Sequence, residues 1–195
     1  MLWCPLRDMY DEQVIHTARL CLRHWREEDR EPFAEMNADP VVMEFFPATW
    51  TREESDASFD RIQKHWSDHG FGIWVVEVQG QFAGTLGLQH PRFEAFFTPC
   101  VEIGYRLRPR WWKQGFAAEG ALAALRCGFE RLGLQEIVAF TVSANVRSRR
   151  VMEKLGMQYS ADFDHPRLPE GHPIRRHVLY RLPRAVWAEN ERQSK

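Results

Sequence analysis

The chain has 195 residues, of which 44% are hydrophobic and 27% charged, with a formal net charge of -1. Those proportions suit one folded domain with a single sizeable core and exclude a largely disordered chain. The near-zero charge offers no global field to nucleic acid or an anionic membrane, so any anionic ligand must be held by a local site.

Residues 1–16 form a poorly patterned lead-in. In Arg19 to Trp25, Leu20 and Leu22 alternate with polar or charged neighbours, the pattern of a half-buried strand. Glu27 to Ala38 reads as a helix with Phe33 and Met36 three apart, stopped by Asn37, Asp39 and Pro40. A short apolar piece, Val41 to Phe46, leads to Thr51, an expected N-cap with Glu54 three residues on as its capping box. The helix that follows sets Phe59, Ile62 and Trp66 on one face and ends by Gly70. Two strands come next, Gly72 to Val78 and Phe82 to Gln89, joined at Gln79 and Gly80 by a hairpin turn.

Pro91 to Pro99 is an insertion rich in phenylalanine, and Val101 to Leu107 is a further strand, ended by Pro109. Ala117 to Arg131 is an Ala- and Leu-rich helix closed by Gly133, and Ile137 to Val142 is a buried-type strand. Asn145 to Leu155 is a helix closed by Gly156. Met157 to Phe163 and His177 to Leu182 are extended and flank the loop DHPRLPEGHPIRR, leaving 184–195 as a tail. The order β-α-α-β-β-β-α-β-α-β-β describes one α/β domain on a mixed sheet.

Four cysteines, Cys4, Cys21, Cys100 and Cys127, form no C-x-x-C pair, which suits free thiols in a reducing compartment. No stretch approaches the roughly 18 apolar residues of a membrane span, and the N-terminus has no signal-peptide pattern. A cytoplasmic location is the expectation, with neither nucleic acid nor membrane as partner.

The most informative stretch is YRLRPRWWKQGFAAE, Tyr105 to Glu119, where a strand runs through a Gly-containing turn into a helix. Helix N-termini carry unpaired N–H groups and partial positive charge, so they bind phosphates. Gly115 lets a bulky anion approach the backbone and Ala117 keeps the first turn small, with Lys113 and Arg110 as nearby charge. Taken alone, such a glycine equally suits a chain that simply has to bend.

The order of four segments narrows this. TARLCLRHWREED, NADPVVMEFFP, VEIGYRLRPRWWKQGFAAEG and NVRSRRVMEKLGM follow one another as in the GNAT N-acetyltransferase superfamily, and the chain resembles its RimJ/RimL branch of ribosomal-protein N-terminal acetyltransferases over nearly its whole length. The family turn reads Arg or Gln, two residues, Gly, one residue, Gly or Ala. Gly115 and Ala117 match, Trp112 occupies the Arg/Gln position, and Lys113 stands where glycine is commoner.

The resemblance implies an α/β GNAT domain whose mostly antiparallel sheet splays to admit the pantetheine arm of acetyl-CoA. Backbone amides of Gln114, Gly115, Phe116, Ala117 and Ala118 would hold the pyrophosphate, with Trp112 and Lys113 beside them. Tyr105 and Leu107 on the strand would pair with the cofactor like an added strand, and Asn145 and Ser148 would sit near its thiol. Direct attack by an amine needs a base, and Glu102 is the carboxylate on that strand. Ser148 is the candidate proton donor to the departing thiolate. The bland alternatives stand beside these: a solvent-facing or salt-bridged Glu102, an N-cap Asn145 and an exposed Ser148.

The implied reaction is acetyl transfer from acetyl-CoA to a primary amine, either a protein N-terminus or a small molecule such as a polyamine or aminoglycoside. A non-catalytic acyl-CoA-binding module is the alternative, and a monomer or a homodimer is expected. No metal is expected: His165, His172 and His177 lack ligand spacing. Arg175 and Arg176 suit solvated charge better than phosphate contacts. Phe93, Phe96 and Phe97 suit an acceptor lining, a dimer contact or a loop tucked on the core.

Overall fold

The computed structural model describes residues 14–193. Eight strands form one sheet: β1 (Ile15–His16), β2 (Cys21–Arg23), β3 (Ile73–Val78), β4 (Gln81–Gln89), β5 (Glu102–Leu107), β6 (Glu136–Val142), β7 (Gln158–Asp164) and β8 (Arg176–Pro183). Their spatial order is β1-β2-β3-β4-β5-β6-β8-β7. Among the described residues five α-helices accompany them: α1 (Arg30–Ala38), α2 (Arg52–His69), α3 (Phe116–Arg126), α4 (Val146–Lys154) and α5 (Arg184–Gln193).

Local chemistry accounts for most boundaries. The Thr51 side chain accepts from the Glu54 N–H while Glu54 reaches back to the Thr51 N–H, the reciprocal box expected at the start of α2. Gln79 and Gly80 both have positive φ, 51° and 73°, the twist that matches a two-residue hairpin between β3 and β4. Gly70, at φ 71°, closes α2 in the left-handed conformation.

One face of the sheet packs on α3, α4 and α5 through Leu22, Trp74, Leu86, Ile103, Ala121, Met152 and Trp187. The other face is covered in two pieces. Over β3 and β4, Phe33 of α1 and Phe59 of α2 enclose Trp25, Ile73, Val75 and Phe82. Over β6 and β8, Phe97 closes on Val138, Phe163 and Leu179, with Phe93 and Phe140 alongside. Period-two alternation therefore puts Glu102, Gly104 and Arg106 of β5 on the face between those two covers.

Three expectations change, and one segment without an expected element gains a description. The lead-in contains the short strand β1, which pairs Ile15 with Leu22. Val41 to Phe46 lies in a run of turns and bends whose Val42 and Met43 are buried. The helix expected over Ala117 to Arg131 is α3 followed by a π-turn, Cys127–Arg131, where Leu132 N–H reaches Cys127 C=O. The 184–195 tail is the helix α5 over 184–193, because Trp187 is buried and stacks on Phe129 at 5.4 Å. One apolar pair on an otherwise charged segment is too faint a pattern to read before its partner is known.

Candidate active site

β5 and β6 are the parallel neighbours in the sheet, and their register holds only at Glu102 and Val138, with Val138 N–H donating to Val101 C=O at 2.9 Å. Beyond that point the strands part, and strands that part leave N–H and C=O groups facing a gap. The expected splay is present.

The turn into α3 is built from left-handed residues. Lys113 has φ 60° and Gly115, the N-cap of α3, has φ 82°. This explains why glycine suits position 113: a side chain there carries strain of about 1–2 kcal/mol. The first helical bond runs from Glu119 N–H to Gly115 C=O, so the amides of Phe116, Ala117 and Ala118 precede the ladder and are available to an anion. A Cβ built on Gly115 would come 3.4 Å from Arg19 Nη2, so the backbone lies open there apart from that one side chain.

Arg19 straps the turn, a role that sequence reasoning missed. Its guanidinium donates to Gln114 C=O at 2.9 Å and to Glu119 at 2.7 Å, and lies 4.6 Å over the Phe116 ring. Trp112 donates its Nε1–H to Leu107 C=O at 2.7 Å and lies 4.7 Å below Arg147, so its side chain locks the loop onto β5. The Leu107 side chain is buried in the core, which leaves only its backbone for a ligand. Gln114 donates to Arg110 C=O. An open cavity of about 460 Å³ between residues 16–21, 77–80 and Phe116 lies at the outer edge of this turn and has none of Glu102, Tyr105 or Ser148 in its lining.

On α4, Asn145 serves as the N-cap: its Oδ1 accepts from Ser148 N–H at 3.1 Å and its Nδ2 donates to Thr141. Ser148 is half-buried and not the exposed first-turn residue of the bland alternative. Tyr105 reaches from β5 to it, donating its hydroxyl to Ser148 C=O at 3.0 Å, with Ser148 Oγ at 3.2 Å. Burial raises the Tyr105 phenol well above its usual range, against the Ser148 hydrogen bond. The two hydroxyls stand together on the helical side of the gap.

Glu102 is half-buried on the opposite face and forms no salt bridge among the described residues. Gln89, its register partner on β4, donates to Glu102 Oε1 at 2.6 Å. Burial pushes the Glu102 carboxyl up to about 7, and the Gln89 hydrogen bond opposes that rise. A carboxylate that ionises near neutrality has the basicity a general base needs. A Cβ built on Gly104, two residues on, meets nothing within 4 Å, so open space adjoins Glu102 on this face.

His165 and His177 pack against each other as tilted rings at 5.0 Å and against Phe163, while His172 accepts from Ile174 N–H. They are packing and turn residues. Three other histidines converge: ring atoms of His65, His69 and His90 lie within 4.8 Å of one another. That is wider than the about 3.3 Å between nitrogens on a tetrahedral ion. Both ring nitrogens of His65 are engaged, by Phe71 C=O and by His90 N–H. Arg176 pairs with Asp162 and Asp164, and Arg175 with Asp164, which commits their charge to β7. Phe93 and Phe97 are tucked on the core while Phe96 remains 69% exposed.

Residues 19–158 match the family model described as Acetyltransferase (GNAT) domain. This chain belongs to the GNAT acetyltransferase family. The Aspergillus fumigatus FsC-acetyl coenzyme A-N(2)-transacetylase is 33% identical to it over 204 aligned positions, covering 94% of this acetyltransferase and 81% of the relative. A GNAT-family acetyltransferase from Bacillus anthracis superposes with a TM-score of 0.73 at 26% identity, over 89% of this chain and 99% of that one. Mycobacterium smegmatis RimJ, in complex with CoA-disulfide, superposes with a TM-score of 0.69 at 19% identity, over 89% and 90%. That last likeness shows the fold alone, so the family shown is GNAT without a branch. This GNAT acetyltransferase is an acyl-CoA-dependent enzyme whose family draws the acetyl group from acetyl-CoA. No helix among the described residues is long and apolar enough to cross a membrane.

Proposed function

We propose that this acetyltransferase moves acetyl from acetyl-CoA to a primary amine by direct attack in a ternary complex, with Glu102 as the general base. The observation that carries this reading is the Glu102 carboxyl: held by Gln89, poised near neutrality, and beside open space at the point where β5 and β6 part. When bound, acetyl-CoA supplies an activated thioester. The amides of Gln114 to Ala118 hold its pyrophosphate, with Lys113 and Gly115 shaping the backbone cradle. Trp112 acts by locking that loop to Leu107, and not through phosphate contact.

Glu102 takes a proton from the acceptor amine as it attacks, directly or through one water. Backbone N–H groups of β5 beyond Glu102, up to Tyr105 and Leu107, face the gap and stabilise developing negative charge on the acetyl oxygen. The Tyr105–Ser148 hydroxyl pair, positioned by the Asn145 cap, supplies the proton to the departing thiolate. A thiolate leaves readily, so this last contribution is small.

The Aspergillus relative is named for transfer to a nitrogen designated N(2), which supports an amine acceptor. A protein N-terminal α-amine and a small-molecule amine both satisfy the site. An acetyl-CoA-dependent screen of small amines and N-terminal peptides, read by mass spectrometry, tests the reading. Acetylated product from at least one acceptor class is expected. Tight CoA binding with no acetyl-CoA consumption across the panel would refute the acceptor chemistry.

A further inference from the structure

Arg106 occupies the same face of β5 as Glu102, with Gly104 and its open space between them. Its guanidinium is ringed by apolar groups: the Phe46 ring at 5.0 Å, the Trp50 ring at 5.2 Å, the Phe33 ring at 5.8 Å and the Met43 sulfur at 2.9 Å. Among the described residues it has no carboxylate partner, whereas the neighbouring arginines do. Arg108, two residues on, pairs with Glu35 at 2.9 Å, and Arg147 of α4 pairs with Glu44 on the loop that also holds Met43, Phe46 and Trp50.

A guanidinium taken from water without an anion is costly, and an aromatic ring returns only part of that cost. Burial lowers Arg106 to about 10, so it is still charged at neutral pH. The residue is nevertheless only half-buried, and the open space at Gly104 adjoins it on the same face. A planar, permanently charged fork in a low-dielectric wall is suited to a carboxylate above all.

We propose that Arg106 receives a carboxylate of the acceptor, so that the substrate class is an amine joined through several atoms to a carboxylate. This rests on the reading of Glu102 as the site where the amine is deprotonated. Four residues along a strand separate their Cα atoms by about 13 Å, and both side chains stand on the face that carries the open space at Gly104. The amine at Glu102 and the carboxylate at Arg106 are then joined by a linear spacer, which favours such an acceptor over one whose two groups sit on one carbon. A long ω-amino acid and a short peptide with a free C-terminus present the same chemistry.

The test measures KM and kcat for 6-aminohexanoate against its amide, and for a tripeptide with a free C-terminus against the amidated tripeptide. The acid of at least one pair is expected to have a KM about 10- to 100-fold below its amide, with the pair that shows it identifying the source of the carboxylate. Arg106→Gln is expected to bring acid and amide within about twofold, and Arg106→Lys to restore part of the preference. Calorimetric affinity for acetyl-CoA and the melting temperature check that each variant is folded. Equal KM values for acid and amide in the wild-type enzyme would overturn the proposal without recourse to any variant, as would a preference that survives Arg106→Gln. If neither pair is turned over, calorimetry on the CoA-saturated protein separates the two readings. Selective binding of an acid over its amide would uphold Arg106 while the assigned base fails, and binding of neither would overturn both.

Discussion

Glu102→Gln tests the base and its environment together. In the folded chain the carboxyl ionises near 7, against an ordinary value of 4.5. At about 1.4 kcal/mol per pH unit, burial penalises the carboxylate by up to about 3 kcal/mol. The sign follows from linkage. Between about 4.5 and 7 the unfolded chain has lost this proton while the folded chain keeps it, so Glu102 makes the fold less stable as pH rises through that window. Glutamine retains the hydrogen bond from Gln89 and carries no charge. Urea unfolding is therefore expected to show the variant's stability relative to wild type climbing by up to about 3 kcal/mol from pH 4.5 to pH 8. Over the same change, kcat/KM falls by about 10²- to 10⁴-fold, and the ascending limb of the wild-type pH–rate profile near 7 disappears. A relative stability that does not change with pH would refute the burial argument. A rate profile that keeps its limb near 7 in Glu102→Gln would remove this carboxyl from the mechanism.

Gln89→Leu removes a hydrogen bond that favours the carboxylate, so the limb near 7 should move to higher pH; an unmoved limb would mean Gln89 does not bear on Glu102. Lys113→Gly relieves a left-handed side chain and is expected to stabilise the fold by a few tenths to about 1 kcal/mol, with CoA affinity nearly unchanged by calorimetry. Gly115→Val, at φ 82° and facing Arg19, is expected to weaken CoA binding at least about tenfold, and unaltered affinity would dismiss the cradle. Asp29→Ala strips the buried Arg23 guanidinium of its bidentate partner, made at 2.8 and 2.9 Å, but leaves Glu77 paired with it at 2.7 Å, and should cost about 1.5–3 kcal/mol in urea unfolding.

The periodic elements are legible in residue spacing. Leu20 and Leu22, the Thr51–Glu54 box, the Gln79–Gly80 turn and the Gly115 helix start all express interactions within a few residues, so the order of residue types betrays them. Two elements escape for the opposite reason: β1 is two residues long and α5 is held chiefly by Trp187 on Phe129, a contact between distant segments.

The same division runs through the site. The cradle from Lys113 to Ala118 is a local backbone conformation, and residue types alone point to it. Lys113 is the mismatch in that pattern, and its φ of 60° gives the physical reason that glycine is commoner there. Glu102 is visible as a carboxylate on a strand, but its basicity depends on burial and on Gln89, thirteen residues away and opposite only once β4 and β5 are in register. The Tyr105–Ser148 hydroxyl pair and the Arg19 strap likewise join residues 43 and 95 or more positions apart. Arg106 looks like any charge on the polar side of a strand. What sequence determined by itself was the family, the order of elements and the glycine turn into α3, because those are written in short-range spacing. The desolvation of Glu102 and the apolar surroundings of Arg106 were decided only when the elements around β5 packed together. A side chain's electrostatic neighbours are a property of packing, not of its position along the chain.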